Sequence, residues 1–173
     1  MHEAGIRAIL RRTIASAAVL AGLSGGVLPG WAQAAPLGAR DRLTAATDQA
    51  RAWQKDARLV RVETRNADAQ GRSPDWVYVF DSPGSKQQTL VMVTGSGQPD
   101  LVPTGTAYRR PLGDFVDSPR AMQEAVRRGL KTHGAGMTMS LTGGEPAQWL
   151  VSSGDQTYVI DAASGGFVRR EKD

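Results

Sequence analysis

Few side chains in this sequence could do nucleophilic or acid–base chemistry. The only histidine beyond position 2 is His133. In a serine hydrolase, a histidine takes the proton of the attacking serine and an aspartate orients that histidine. Ser152 or Ser153 could act with His133 and Asp161 in this way, but neither serine has the glycine-flanked pattern of a nucleophile turn. We therefore predict no catalytic residue and no enzyme activity.

Metal and cofactor sites have equally little support. The chain has no cysteine, and one histidine is too few for a zinc site. The carboxylates do not recur at alternate positions as a calcium loop requires. Gly95-Ser96-Gly97 and Gly134-Ala135-Gly136 lack the lysine and the glycine spacing of a phosphate-binding loop. The sequence predicts neither a metal nor a cofactor.

Residues 1–34 have the pattern of a cleaved signal peptide. Arg7–Arg12 contains three arginines, Thr13–Leu28 is apolar or small, and Ala32-Gln33-Ala34 has small residues where signal peptidase requires them. The pair Arg11-Arg12 lacks the fuller twin-arginine motif, so general secretion is favoured. We predict that the mature chain is periplasmic or secreted and has no membrane-spanning segment.

The composition restricts the partners. The formal net charge of +4 is too small to indicate nucleic acid binding, although arginines are paired at Arg109-Arg110, Arg127-Arg128 and Arg169-Arg170. Without cysteine no disulfide can form, so packing alone must stabilise the fold. The mature chain has the length of one ordinary domain.

Two segments of similar pattern, Gln88–Gly97 and Gln156–Gly165, suggest an internal duplication. Each follows a strand that contains tryptophan and, before it, an alanine-rich helix. In the first half the spacing of apolar residues predicts a helix from Leu43 to about Asp56. Strands are predicted at Leu59–Val62, Trp76–Phe80 and Thr89–Val93.

In the second half, Ser118 is the predicted N-cap of a helix that runs from Pro119 to about Leu130. Strands are predicted at Met137–Leu141, Trp149–Val151 and Tyr158–Ile160, with a short Phe167–Val168 strand after a turn. The tryptophans Trp53, Trp76 and Trp149 are predicted to anchor the core.

These elements predict an α+β fold of two tandem helix-plus-antiparallel-sheet (α-β-β-β) repeats packed as one bipartite domain. The first repeat spans residues 35–97 and the second spans residues 118–173. Between them, residues 98–117 are predicted to form an extended crossover, because prolines keep this segment out of a helix.

Three features of the second half occur together. Ser118-Pro119-Arg120-Ala121, with Ala125 and Gly129, forms an alanine-rich helix pattern. Trp149-Leu150-Val151 follows as a strand, and Tyr158–Gly165 closes the unit with a strand and an Asp-containing turn. In these features the segment resembles a PepSY domain, over about a third of the chain. The first half departs from the pattern, since Val93-Thr94-Gly95 stands where the aspartate turn would be.

The resemblance implies a small extracytoplasmic module that binds proteins, in several members by restraining a peptidase, and it implies no catalytic residue. The tandem arrangement also resembles the architecture of the secreted β-lactamase inhibitor proteins, although those proteins contain disulfides.

We therefore predict an exported, non-catalytic module of the cell envelope that binds an envelope or secreted protein. The alternative is a periplasmic carrier of a small apolar ligand, which requires a lined pocket. Aromatic residues and arginines dominate protein contacts, and Asp161 belongs to the resemblance. The candidate partner-binding residues are Tyr78, Tyr108, Arg109, Arg110, Trp149 and Asp161.

Overall fold

The structure is a computed structural model that describes residues 35–94, 100–104, 110–132 and 136–171. The predicted signal peptide, Tyr108, Arg109 and His133 lie outside the described residues.

The described residues form two helices, and each is followed by four strands. The elements are α1 (Leu43–Trp53), β1 (Arg58–Ala67), β2 (Asp75–Ser82), β3 (Gln87–Thr94), β4 (Asp100–Thr104), α2 (Ser118–Arg127), β5 (Met137–Thr142), β6 (Gln148–Ser153), β7 (Gln156–Asp161) and β8 (Phe167–Glu171). Among the residues described, neither helix is long and apolar enough to cross a membrane.

The predicted fold class, an α+β domain of two α-β-β-β repeats, is wrong. The eight strands of the described residues form a single antiparallel sheet in the order β4-β3-β2-β1-β5-β6-β7-β8. Helices make up only 17% of the described residues, against 45% in strands. The sheet is continuous because β1 pairs with β5. A local sequence pattern indicates a strand but not its distant partner, and this pairing joins strands that are far apart in the chain.

Part of the predicted crossover is also a strand. β4 lies within residues 98–117 and pairs with β3, for example Val102 with Leu90. Pro103 has no amide hydrogen to donate, but it is tolerated because β4 is at the edge of the sheet. The hydroxyl of Thr89 donates to the carbonyl of Val102 at 3.1 Å. A side chain of β3 therefore adds to the pairing of this proline-containing strand.

One row of side chains crosses the middle of the sheet and forms the centre of the core. Its members are paired from strand to strand, and each is 0% exposed: Val91, Tyr78, Val62, Leu141, Trp149 and Ile160. Ala46 and Ala50 of α1 and Ala121 and Ala125 of α2 are also fully buried in this core. Their small side chains let both helices lie close to the same side of the sheet. We call this side the helix face and the opposite side the open face.

The start of α2 differs from the prediction by one residue. Asp117, rather than Ser118, is the N-cap, and its Oδ1 accepts from the amide of Ser118 at 2.8 Å and from that of Arg40 at 3.0 Å. The buried hydroxyl of Ser118 accepts instead from the amide of Ala39 at 3.0 Å. These bonds join the start of α2 to the segment that leads into α1.

Trp76 and Trp149 pack against each other on the helix face. Their ring centroids are 6.3 Å apart in an edge-to-face arrangement, which is a favourable geometry for aromatic pairs. The indole of Trp76 donates to the carbonyl of Leu37, and that of Trp149 donates to the carbonyl of Val116, both at 2.9 Å. The prediction that these two residues anchor the core is confirmed.

Candidate functional site

Two of the candidate partner-binding residues, Tyr78 and Trp149, lie in the core. Both are 0% exposed, and the hydroxyl of Tyr78 donates to the carbonyl of Ala39 at 2.9 Å. Burial raises the pKa of Tyr78 above its ordinary range, because a phenolate would lose its hydration. These side chains stabilise the fold and are not available to a partner at the surface.

The other described candidates, Arg110 and Asp161, lie in surface segments. Arg110 forms an ion pair with Glu145, and both side chains are mostly exposed. One oxygen of Asp161 accepts from the hydroxyl of Ser164 at 2.6 Å and from its amide at 2.8 Å. These bonds lower the pKa of Asp161, the hydroxyl most strongly. Of the candidate set, the structure therefore places two members in the core and two near the surface.

The residues considered for a hydrolase triad make structural hydrogen bonds. The hydroxyl of Ser153 donates to the carbonyl of Lys131 at 2.7 Å. The hydroxyl of Ser152 lies 2.9 Å from that of Thr157, and His133 is outside the described residues. In the described part of the chain, no group of three His, Cys, Asp or Glu side chains could hold a metal ion.

The open face carries a group of apolar side chains at its β2–β4 end, which we call the apolar patch. Met92 and Val102 are 40% and 47% exposed. Val102 lies directly across from Leu90, and Met92 lies across from Val77. Both helices lie on the opposite side, so no helix of the described chain covers these residues. The patch consists of Val77, Leu90, Met92 and Val102, and their neighbour Val79 is buried at 1% exposure.

The centre of the open face, next to the apolar patch, is polar. Arg61 Nε lies 3.3 Å from Glu63 Oε2, and these side chains are 27% and 33% exposed. Their cross-strand neighbours on β5 are Thr142 and Ser140. Arginine beside apolar side chains is typical of surfaces that bind other proteins. The open face thus combines an apolar contact area with a charged one.

The segment 110–117, which we call the strap, connects to the sheet by backbone contacts. The amide of Leu112 donates to the carbonyl of Leu59, and the amide of Val116 donates to that of Ala162, both at 2.7 Å. A Cβ atom at Gly143 would overlap the carbonyl oxygen of Arg110. Only glycine therefore permits this close approach between the strap and the turn after β5.

An open cleft of about 490 Å³ lies between α1 and the strap. We call it the arginine cleft, because three arginines from different segments line it. Arg40 is held in place, since its Nη1 donates to the carbonyl of Phe115 at 2.8 Å and its guanidinium carbon lies 5.5 Å from the centroid of that ring. The lining includes Arg40, Arg51, Arg58, one carboxylate, Asp114, and the apolar residues Leu43, Leu59, Phe80, Leu112 and Phe115.

Arg51 and Arg58 differ from Arg40 because the side chain of neither makes a hydrogen bond or an ion pair with a described residue. A guanidinium group has five N–H donors and remains charged at all physiological pH values. The pKa of Asp56 is lowered chiefly by hydrogen bonds from the Ser82 hydroxyl and the Gly84 amide, and the charge of Arg58 lowers it further. The cleft therefore presents cationic donors that the described fold leaves free.

No family model matches this chain, and no curated protein or solved structure is significantly similar to it. The resemblance of the second half to PepSY domains therefore rests only on the residues quoted for it.

Sequence reasoning missed both surfaces described above. For the apolar patch there was a signal, since Val77, Val79, Leu90 and Met92 are apolar on the strand face that should be polar if it met only solvent. For the arginine cleft there was none. Arg40, Arg51 and Arg58 have no diagnostic spacing and come together only through the packing of α1, β1 and the strap.

Proposed function

We propose that this chain is an exported, non-catalytic module of the cell envelope that binds another envelope or secreted protein through the open face. The observation that carries the proposal is the exposure of Met92 and Val102 within the apolar patch. Apolar side chains grouped on an exposed face are typical of interaction sites. Methionine and arginine are both enriched in protein interfaces, and Arg61 lies beside the patch.

The edges of the sheet are less suited to binding than its face. Pro103 lies in the edge strand β4, and the opposite edge strand β8 contains Arg169, Arg170 and Glu171. Proline and charged residues at edges discourage pairing with a strand of another protein. We therefore expect the partner to be a folded protein that contacts side chains of the open face. Restraint of a peptidase is the specific version suggested by the resemblance to PepSY domains.

The test compares two Val→Lys variants at positions of similar exposure. Val102 is 47% exposed on the open face, and Val126 is 42% exposed on α2. The purified protein and each variant are immobilised, exposed to a cross-linked envelope extract, and the captured proteins are identified by mass spectrometry. We expect V102K to capture about tenfold less of the specific partner than the unmodified protein does, since a lysine would be desolvated in the interface. V126K should retain it.

Equal capture by both variants would exclude the apolar patch as the contact surface. Failure of the unmodified protein to enrich any protein over a denatured control would contradict the proposed function itself. If the captured protein is a peptidase, its activity is then measured with and without the purified chain.

A further inference from the structure

We propose that the arginine cleft binds a single-chain apolar molecule that ends in a compact anionic group, either a carboxylate or a phosphate. The cleft lies beside α1, on the helix face, and contains no residue of the apolar patch. This inference therefore goes beyond the proposed protein-binding function, and the two can fail independently.

The charges around the cleft define one end of the ligand. Arg40, Arg51 and Arg58 line the cleft together with one carboxylate, Asp114, and a second carboxylate, Asp56, interacts electrostatically with Arg58. Arg40 already donates to the carbonyl of Phe115, so Arg51 and Arg58 are the donors available to a ligand. Guanidinium groups match the oxygens of carboxylate and phosphate in geometry and charge. The excess of cations calls for a ligand with an anionic group.

The apolar side chains that line the cleft indicate the chemistry of the rest of the ligand. Phe80 and Phe115 are almost fully buried, and Leu43, Leu59 and Leu112 are partly buried against the core. Such a floor favours aliphatic or aromatic groups. The cleft volume of about 490 Å³ is in the range of sites that hold small molecules.

An extended peptide fits the cleft less well than a small molecule. The floor residues Leu59 and Phe80 belong to β1 and β2, which are interior strands with neighbours on both sides. The amide of Leu112 in the strap is already bonded to Leu59. A peptide could not add here as a further strand, which is how extended peptides commonly gain backbone hydrogen bonds.

The experiment titrates the purified protein with three probes of equal chain length, below their micelle concentrations, by isothermal titration calorimetry. Dodecanoate and dodecyl phosphate carry the anionic group, and dodecanol lacks it. We expect saturable binding of at least one anion, about tenfold tighter than binding of dodecanol. The tighter of the two anions identifies the headgroup.

Two double variants place the binding site. R51Q/R58Q removes the two available donors, and R65Q/R72Q removes two exposed arginines that do not line the cleft. We expect R51Q/R58Q to lose the preference for the anion and R65Q/R72Q to retain it, with the melting temperature of each variant confirming that it is folded.

Three results would overturn the proposal. The first is that neither anion binds saturably, and the second is that anion and alcohol bind with equal affinity. The third is that both double variants lose affinity for the anion equally. Tighter binding of a short Leu-Glu peptide than of either anion, abolished in R51Q/R58Q, would instead assign the cleft to a protein segment. If V102K lost affinity for the anion and R51Q/R58Q did not, the binding site would be on the open face rather than in the arginine cleft.

Discussion

Asp161 ends β7 by accepting two hydrogen bonds from one residue, Ser164. Both bonds are local and close the turn that leads to β8. The same carboxylate lies at the edge of the open face, across from Gln148. Its main role in the structure is therefore to stabilise a turn.

At this position we predict that D161A lowers the free energy of unfolding by about 1 kcal/mol, the usual contribution of turn hydrogen bonds of this kind. Urea denaturation measures the change. D155A is the matched control, because Asp155 is exposed and lies in the neighbouring turn between β6 and β7. If D161A abolished capture of the partner without changing stability, Asp161 would belong to the binding surface.

Gly143 is required by the close approach of the strap, whereas the next residue, Gly144, has room for a side chain. A Cβ at Gly144 would meet its nearest neighbour, the carbonyl oxygen of Pro146, at 3.6 Å, which is an ordinary contact. We predict that G143A destabilises the protein by about 1–3 kcal/mol because the strap has to move. G144A should be close to neutral. Thermal unfolding of the two variants checks the prediction, and equal melting temperatures would contradict it.

At the level of elements, α2 carries an ionic group that makes stability depend on pH. Glu124 is 5% exposed. It accepts from Arg127 Nε and Nη2, both at 2.8 Å, and from Arg128 Nε at 3.0 Å. These bonds lower the pKa of Glu124, with that from Arg127 contributing most. The carboxylate therefore favours folding only while it is ionised.

Because folding lowers the pKa of Glu124, its stabilising effect is complete above the unfolded-state value of 4.5 and is lost as the pH falls through the lowered value. We predict that the melting temperature of the protein falls on acidification through this range. E124Q should have a lower melting temperature at neutral pH, and its melting temperature should change less as the pH falls. An unchanged pH dependence in E124Q would show that other carboxylates control acid unfolding.

The strands and helices were predicted well where one face is apolar and the other polar. Alternation identified β5, and the three- and four-residue spacing of alanines identified α1 and α2. β4 was missed because Pro103 indicates an interruption, and only the pairing with β3 makes it a strand. The N-cap was misassigned because Ser118 and Asp117 are both good caps, and a contact with the distant Ala39 decides between them.

The candidate partner-binding set was chosen by residue type, and type alone does not report exposure. Tyr78 and Trp149 are the residues that protein interfaces favour, but they are equally favoured in cores. Their burial follows from the cross-strand row that includes Val62 and Leu141. That row depends on the pairing of β1 with β5, which no local pattern reveals.

For the whole molecule, the continuous sheet implies that residues before and after the strap stabilise each other. Val62 pairs with Leu141 across the β1–β5 boundary, and Trp76 contacts Trp149. The fragment of residues 35–97 would lack β4 and β5, so β3 and β1 would each have an unpaired edge. Unpaired apolar edges promote aggregation.

We predict that this fragment aggregates and shows no cooperative melting, whereas residues 35–173 melt in one transition. Size-exclusion chromatography and differential scanning calorimetry provide the comparison. A monomeric fragment with its own sharp transition would show that β1–β3 and α1 fold without the rest of the sheet.

The bond from the amide of Ala39 to the hydroxyl of Ser118 joins groups 79 residues apart in the chain, and β1 and β5 meet across a similar separation. Hairpins between neighbouring strands form early because their loops are short, whereas a long loop closes at a larger entropic cost. During synthesis, β1 therefore has no second neighbour until Met137–Thr142 has emerged. Over that interval the nascent chain displays an unpaired strand edge, which makes it a substrate for chaperones that shield such edges.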